Sequence, residues 1–302
     1  MILPTLKQLQ YLVALHDHGH FGRAADATFV TQSTLSAGLR ELEGLLAAVL
    51  VERTRRVVRF TPLGERVVAK ARRVLREAEE LSDLARAAAK PLSGELRLGV
   101  IPTIAPFMLP RVLPSLRRKW PELRLYLREE TTPQACESLA RGNLDCILLA
   151  LPYACGDIAH ISLFDDPLYV AFPGGSLNGH ALQDETVAAD VIAPDNLLML
   201  EDGHCLKDHA LAACNRPELR AGAQMLGTSL HTLVQMVDNG LGVTLLPKMA
   251  IDAGILEGTN VDARPLRAAH PSRDIALVWR ANSPRAKEFL ILAEELKDVL
   301  LP

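Results

Sequence analysis

Residues 62–90 are rich in Ala, Leu, Arg and Glu and read as one long helix opening at Pro62. Within it Val67, Ala71, Val74, Leu75, Ala78, Leu81 and Leu84 form an apolar stripe close to coiled-coil spacing. Pro91-Leu-Ser-Gly ends the helix and marks a domain boundary. A helix of this kind divides the chain into a short leading segment and a long trailing one, and the two differ in charge. Residues 1–76 hold 12 Lys and Arg against 6 Asp and Glu, a net +6, while the remainder holds 21 against 30, a net −9. That asymmetry points to a basic module for a polyanion joined to an acidic module that binds something else.

The leading segment carries its own pattern. Leu6, Leu9, Leu12, Val13 and Leu15 recur at helical spacing, and a second helix starts at Phe21-Gly-Arg-Ala-Ala-Asp. After the turn Phe29-Val-Thr-Gln, with Thr31 placed to cap, a third helix follows with Leu35, Leu39 and Leu42 on one face. This is the order of a helix-turn-helix, and it turns Gln32, Ser33, Thr34, Ser36 and Arg40 outward toward a DNA major groove. A helical hairpin with a polar face is the plainer reading. It loses ground because Glu52-Arg-Thr-Arg-Arg-Val-Val-Arg follows, in which Arg53, Arg55, Arg56 and Arg59 form a basic hairpin suited to phosphates. Duplex operators are commonly read by two-fold symmetric proteins, which favours dimerisation over intramolecular packing for the long helix.

The trailing segment alternates strand and helix. Glu95-Leu-Arg-Leu-Gly-Val-Ile, Leu123 to Arg128, Leu144 to Leu151 and Ile275 to Trp279 read as strands. Helices are expected from about Met108 to Trp120 and from Pro284 to Leu300. Ligands of such sheets bind beyond the carboxyl ends of the strands, which makes Thr103, Thr131 and Thr132 candidate pocket groups, although Thr at a strand end is often only a cap. The expected division is a winged helix-turn-helix in residues 1–61, a linker and dimerisation helix in 62–91 and an α/β regulatory domain in 92–302. Within the last, subdomain I covers about 92–163 and 269–302, and subdomain II about 164–268.

Glu201-Asp-Gly-His-Cys-Leu-Lys-Asp-His-Ala-Leu-Ala-Ala-Cys214 is the segment richest in chemistry. If it is helical, a rise of about 1.5 Å per residue separates Cys205 and Cys214 by roughly 13 Å. A disulfide needs Cα atoms within about 7 Å, so the pair bonds only if the helix is lost, which makes it a two-state element. With Asp202 as N-cap, Cys205 lies in the first helical turn, where backbone N–H groups, His204 and Lys207 favour a reactive thiolate. Two small buried hydrophobes are the plainer alternative. A metal site from His204, Cys205, His209 and Cys214 matches no zinc spacing. Five cysteines, an odd number, speak against a structural disulfide framework and for reduced thiols. Cys146 is expected in the core and Cys155 at the surface. No signal peptide or membrane-spanning run is evident, and a cytoplasmic location is expected.

Phe21-Gly-Arg-Ala-Ala-Asp, Thr31-Gln-Ser-Thr-Leu-Ser, Leu42-Glu, Glu52-Arg-Thr and Thr61-Pro-Leu-Gly resemble the winged helix-turn-helix of LysR-type transcriptional regulators, and the whole chain fits that plan. Leu98-Gly-Val-Ile-Pro-Thr, Leu144-Asp-Cys, Leu198-Met-Leu-Glu-Asp-Gly-His-Cys-Leu, Cys214, Thr228-Ser-Leu and Thr244-Leu-Leu-Pro resemble the peroxide-sensing branch of that family. The resemblance implies an α/β regulatory domain of two subdomains, like periplasmic binding proteins. It implies that Cys205 is the thiol oxidised by hydrogen peroxide and Cys214 the thiol that resolves it to a disulfide. Thr103, Thr132, His204, Lys207 and Asp208 would hold peroxide and its water network. It further implies double-stranded promoter DNA and RNA polymerase as partners, a thioredoxin- or glutaredoxin-like reductant, assembly as a homodimer or homotetramer, no cofactor and no enzymatic turnover. Three positions depart from the family pattern: Lys207 where Arg is usual, Ser33 in place of Pro, and Ala47 at a turn position commonly held by Gly.

Overall fold

The structure, a computed structural model, describes residues 3–53, 58–175, 185–216 and 226–300, without the side chains of residues 53, 80 and 82–89. Two compact units emerge, Met1–Arg86 and Ala87–Pro302. The first contains α1 (Leu6–His18), α2 (Phe21–Ala27), α3 (Gln32–Leu45), an antiparallel pair β1 (Val51–Arg53) and β2 (Val58–Phe60), and the body of α4 (Pro62–Ala89). Thr5 starts α1 through a capping box with Gln8. Thr31 caps α3 as its sequence position predicts, accepting from the Thr34 N–H. Leu9, Leu12, Leu15, Leu35, Leu39 and Leu42 close over Val68 and Ala71 of α4. Gly64 is required where α4 begins, because a Cβ there would lie 2.2 Å from the Leu50 carbonyl oxygen. The apolar stripe of α4 is thus divided: Ala71 is buried in its own unit, while Val74 and Leu81 are exposed. The side chain of Leu84 lies outside the described residues.

The second unit is an α/β domain. Its strands and helices run β3 (Gly94–Val100), α5 (Ala105–Lys119), β4 (Leu123–Glu129), α6 (Thr132–Arg141), β5 (Cys146–Leu151), β6 (Ile158–Pro173), β7 (Val187–Ala188) and β8 (Met199–Leu200). There follow α7 (Cys205–Ala213), β9 (Leu226–Gly227), α8 (Leu230–Asp238), β10 (Thr244–Pro247), α9 (Lys248–Asp252), β11 (Val261–Arg267), β12 (Ser272–Arg280) and α10 (Ala286–Leu300). The main sheet is ordered β4-β3-β5-β12-β6-β11-β7, with β10 also paired to β6. Strands β3, β4 and β5 are parallel, and β12 runs antiparallel to β5 and β6. The 16-residue β6 joins the two halves of the sheet: its first part pairs with β12, and from Leu168 on it pairs with β10 and β11. The expected subdomain division at residue 163 or 164 falls inside this strand.

Helix α5 begins three residues earlier than expected. Pro106 in its first turn lacks an N–H that would have no intrahelical partner, so it is compatible with a helix start. Pro106, Pro110 and Pro114 recur every fourth residue, on a face exposed to water, where freed carbonyls can be solvated. Among the described residues no helix is long and apolar enough to cross a membrane.

Candidate functional site

The carboxyl ends of the parallel strands β3, β4 and β5 deliver Thr103, Thr132 and Pro152 to one edge of the sheet, and the start of α7 docks there. Gly203 turns the chain into the helix with φ +98°, a conformation that favours glycine, and its carbonyl accepts from the Thr132 N–H at 3.2 Å. This turn corrects the expected start of the helix. Asp202 lies before Gly203 and is not the N-cap; His204 takes that place without a side-chain capping bond, and Cys205 is the first helical residue.

Cys205 is only 2% exposed. Burial pushes its thiol up from the ordinary value, so the reactive thiolate expected from a helix start is opposed by desolvation. Three groups pull the other way: the Thr132 hydroxyl, the Arg273 guanidinium and the backbone of Ala150. Asp208, one turn along α7, adds to the rise. Thr132 Oγ1 is buried and makes no hydrogen bond of ordinary geometry among the described residues, which leaves it available to a group that reaches the thiol. These groups would stabilise negative charge as it develops on the sulfur.

Arg273, which sequence reasoning missed, organises the floor of the site. Its side chain is fully buried and donates from Nε and Nη2 to Asp166 Oδ2 at 3.1 and 3.0 Å. It also donates from Nη1 to Thr103 Oγ1 at 2.8 Å and from Nη2 to the Thr103 carbonyl at 3.0 Å. Asp166 is equally buried and accepts a further bond from the Met249 N–H at 2.9 Å. Arg273 and Asp166 are direct cross-strand partners on β12 and β6, and only that register brings them together. Thr103 therefore reaches the site through Arg273.

His204 is half-buried; burial lowers its pKa, with Glu201 and Glu129 opposing, and its Nδ1 is buried without a hydrogen bond. His209, one helical turn past Cys205, places Nε2 3.1 Å from the Pro152 carbonyl and leaves Nδ1 buried without a bond. Burial lowers its pKa against the pull of that carbonyl. Because Ala150 and Pro152 are two residues apart on one strand end, Cys205 and His209 lie side by side over it.

Lys207 is a correction. Two residues past Cys205 it faces another side of α7, where its stem lines a cavity of about 10 Å³ with Leu198, Met199, Leu206 and Leu233. Its Nζ pairs with Asp202 at 2.8 Å rather than approaching the thiol. Cys214 caps the other end of α7, buried, its thiol raised by burial and lowered by Arg216. Cys205 and Cys214 are both free thiols, Cys205 opening the nine-residue helix and Cys214 capping it. Cys146 is buried in β5 as expected, its thiol pushed far up by burial. Cys136 and Cys155 form a disulfide, against the expectation of reduced thiols throughout, and Cys155 is buried rather than exposed. Their Cα atoms lie 5.3 Å apart across a contact that sequence spacing does not disclose. Among the described residues no group of three or more His, Cys, Asp or Glu is placed to hold a metal ion.

On the first unit Gln32, Ser33, Thr34 and Arg40 are exposed along α3, while Ser36 is half-buried. The Ser33 and Thr34 hydroxyls each lie 2.8 Å from Thr31 Oγ1, which fixes the first turn. Arg53 lies at the end of β1 with its side chain outside the described residues, as are Arg55 and Arg56 entirely.

A winged helix-turn-helix followed by a long helix and an α/β domain whose strand ends hold a buried thiol defines a DNA-binding regulator that carries its own sensing domain. The chain belongs to the LysR family: residues 6–65 match the bacterial regulatory helix-turn-helix protein, lysR family, and residues 89–300 match the LysR substrate binding domain. It is 42% identical to the HTH-type transcriptional regulator EstR of Acinetobacter baylyi, over 98% of this chain and 97% of that protein. It is 40% identical to the DNA-binding transcriptional dual regulator OxyR of Escherichia coli K12, over 97% of this chain and 95% of that one. Among solved structures it resembles full-length OxyR of Pseudomonas aeruginosa, a cysteine-to-aspartate variant, with TM-score 0.79 and 35% identity over 99% of this chain and 97% of that one. A hydrogen-peroxide-bound cysteine-to-serine mutant of Corynebacterium glutamicum OxyR aligns with TM-score 0.66 and 32% identity, covering 99% and 93% of the two chains.

Proposed function

We propose that this protein is a hydrogen-peroxide-sensing transcriptional regulator in which oxidation of Cys205 and its reversible bonding to Cys214 control binding to promoter DNA and recruitment of RNA polymerase. One observation carries the reading: a buried thiol whose negative charge is favoured by the Thr132 hydroxyl, the Arg273 guanidinium and the Ala150 backbone, with a second buried thiol at the far end of the same short helix. The sulfur attacks one peroxide oxygen, the O–O bond breaks, and the leaving hydroxide takes the thiol proton as water. The resulting sulfenic acid condenses with the Cys214 thiol, forming the disulfide and releasing a second water. Thr103, Thr132, His204 and Asp208 hold the peroxide and its proton network, and a thioredoxin- or glutaredoxin-like dithiol resets the switch in a cytoplasmic setting. Gln32, Ser33, Thr34, Ser36 and Arg40 face the groove, with Arg53, Arg55 and Arg56 on the phosphates. The exposed Val74 and Leu81 of α4 support dimerisation, and a pair of such dimers makes the tetramer.

The similarity to OxyR proteins supports this reading, and the similarity to EstR favours a second one, a regulator that answers a small metabolite bound by the α/β domain. Peptide mapping after about one equivalent of peroxide, run beside a promoter-reporter assay of Cys205→Ser, separates them. A Cys205–Cys214 disulfide, and a variant that binds DNA yet no longer answers peroxide, are the expected results. A Cys205→Ser protein that still responds in full would leave only the metabolite reading.

A further inference from the structure

The Cys136–Cys155 disulfide joins two segments that both touch the sensing thiol's surroundings. Cys136 lies one turn past Thr132 on α6, and Cys155 lies three residues past Pro152 in the loop that leaves β5. Thr132 is the residue whose hydroxyl acts on Cys205, and its N–H holds the Gly203 carbonyl at the entry to α7. The Pro152 carbonyl holds His209, and Ala150, two residues earlier, acts on Cys205. A closed ring results, running from Cys136 along α6 to Thr132, across Cys205 and His209 on α7, down to Pro152 and back through Cys155. The two sulfurs are the only covalent link in that ring other than the backbone itself. Cys136 is half-buried, and the exposed Ala154 and Gly156 flank Cys155, so a dithiol has a route to the bond.

We propose that Cys136 and Cys155 are a second redox couple, whose disulfide clamps together the two segments that hold the start of α7 and so sets the reactivity of the sensing thiol. The inference rests on the peroxide reading of Cys205 and adds a setting to it. Closing the clamp joins the two sulfurs while their hydrogens leave with the two oxygens of hydrogen peroxide as two waters. A dithiol reopens it by giving up its own two hydrogens and departing as a disulfide. With the clamp closed, Thr132 is held at Gly203, two residues before the sensing thiol. With it open, α6 and the β5 loop relax independently and Thr132 loses its fixed place at the entry to α7, where its N–H holds the Gly203 carbonyl. A sensor that has met oxidant is thereby faster at its next encounter than one kept fully reduced.

Two measurements on the full chain decide this. In Cys205→Ser protein, reduced and then treated with peroxide, peptide mapping should find the Cys136–Cys155 bond restored, and a dithiol should remove it with the fold retained by circular dichroism. Thiols persisting at both positions overturn the proposal. In Cys214→Ser protein, residue-resolved alkylation of Cys205 across pH should show the reactive form appearing at higher pH, and peroxide consuming the thiol several-fold more slowly, when Cys136 and Cys155 are both changed to Ser. Opening the bond with a dithiol reads the same shift without those two substitutions, which covers a variant that fails to fold. An alkylation profile indifferent to the bond overturns the clamp. A profile that shifts while Cys205 stays inert to peroxide supports the clamp and sinks the peroxide function instead.

Discussion

Thr132→Val separates the chemistry of the pocket from its stability. Valine keeps the β-branched shape and the Thr132 N–H bond to Gly203, and removes only a hydroxyl that is buried without a hydrogen bond of ordinary geometry. Deleting such a group relieves a desolvation penalty, so the urea midpoint should hold or rise, by under about 1 kcal/mol. For the thiolate the effect has the opposite sign. Once the thiolate forms, a hydrogen bond from this hydroxyl to the charged sulfur contributes about 1.5–3 kcal/mol, and without it the thiolate fraction at fixed pH falls roughly 10- to 100-fold. A thiolate of higher pKa is intrinsically more nucleophilic and recovers about half of that on a logarithmic scale, leaving a rate loss of roughly 3- to 10-fold. Single-turnover loss of the Cys205 thiol with peroxide, in a Cys214→Ser background, reads this directly. An unchanged rate, or a variant that loses several kcal/mol of stability, would refute the placement of this hydroxyl as a group acting on the sulfur.

Three further outcomes follow from the same geometry. Arg273→Met leaves Asp166 buried without its guanidinium and should cost about 3–5 kcal/mol in urea unfolding of the α/β unit, with Arg273→Met/Asp166→Asn recovering part of it; a loss below about 1 kcal/mol would rule out a buried ion pair. His204 and His209 both have pKa values lowered by burial, so as pH falls below the unfolded histidine value of about 6.5 the unfolded chain takes up protons first and stability declines until the folded values are reached. His209→Gln should flatten that decline, by at most about 1.4 kcal/mol per pH unit, and identical thermal-melt profiles below neutrality would exclude it. Ala47 holds φ +48°, where a Cβ is strained, and Ala47→Gly should raise the melting temperature of the full chain's helix-turn-helix unit by an amount equivalent to about 1 kcal/mol.

How much of this was legible depended on how local each cause was. Thr31 announced α3 because a cap is chemistry between residues three apart, and Ala47 was already conspicuous at a turn where the family has glycine. The strands β3, β4 and β5 could be read from their apolar runs, and with them the edge that presents Thr103 and Thr132. Asp166 and Arg273 could not. Asp166 stands between Asp165 and Pro167 and reads as a turn residue, yet it lies inside a 16-residue strand, opposite an arginine 107 positions away. The Cys136–Cys155 contact is hidden for the same reason, since it depends on how α6 folds back on the loop after β5. Lys207 was misplaced by adjacency: proximity in sequence to Cys205 is not proximity on a helix.

The remaining question for a switch is what holds α7 helical when its two ends must meet. A helix of nine residues is shorter than the length at which isolated helices persist in water, so packing rather than propensity maintains it. Its N-cap contributes no side-chain bond, and Asn215, next to its last turn, adopts φ +52°. What holds it is burial of Cys205, Leu206, Ala210, Leu211, Ala213 and Cys214, together with the His209 contact to Pro152 and the Lys207 pair with Asp202. Most of these contacts are made by the residues that a Cys205–Cys214 bond would drag out of place. The intact helix keeps the two Cα atoms roughly 13 Å apart, beyond the about 7 Å a disulfide allows, so at least one turn must unwind before the sulfurs can meet. Helix burial therefore opposes the bond in the reduced state, and bond formation removes the same burial in the oxidised one. A short, poorly capped helix held mainly by its own buried face is the arrangement in which those two terms are closest to balance.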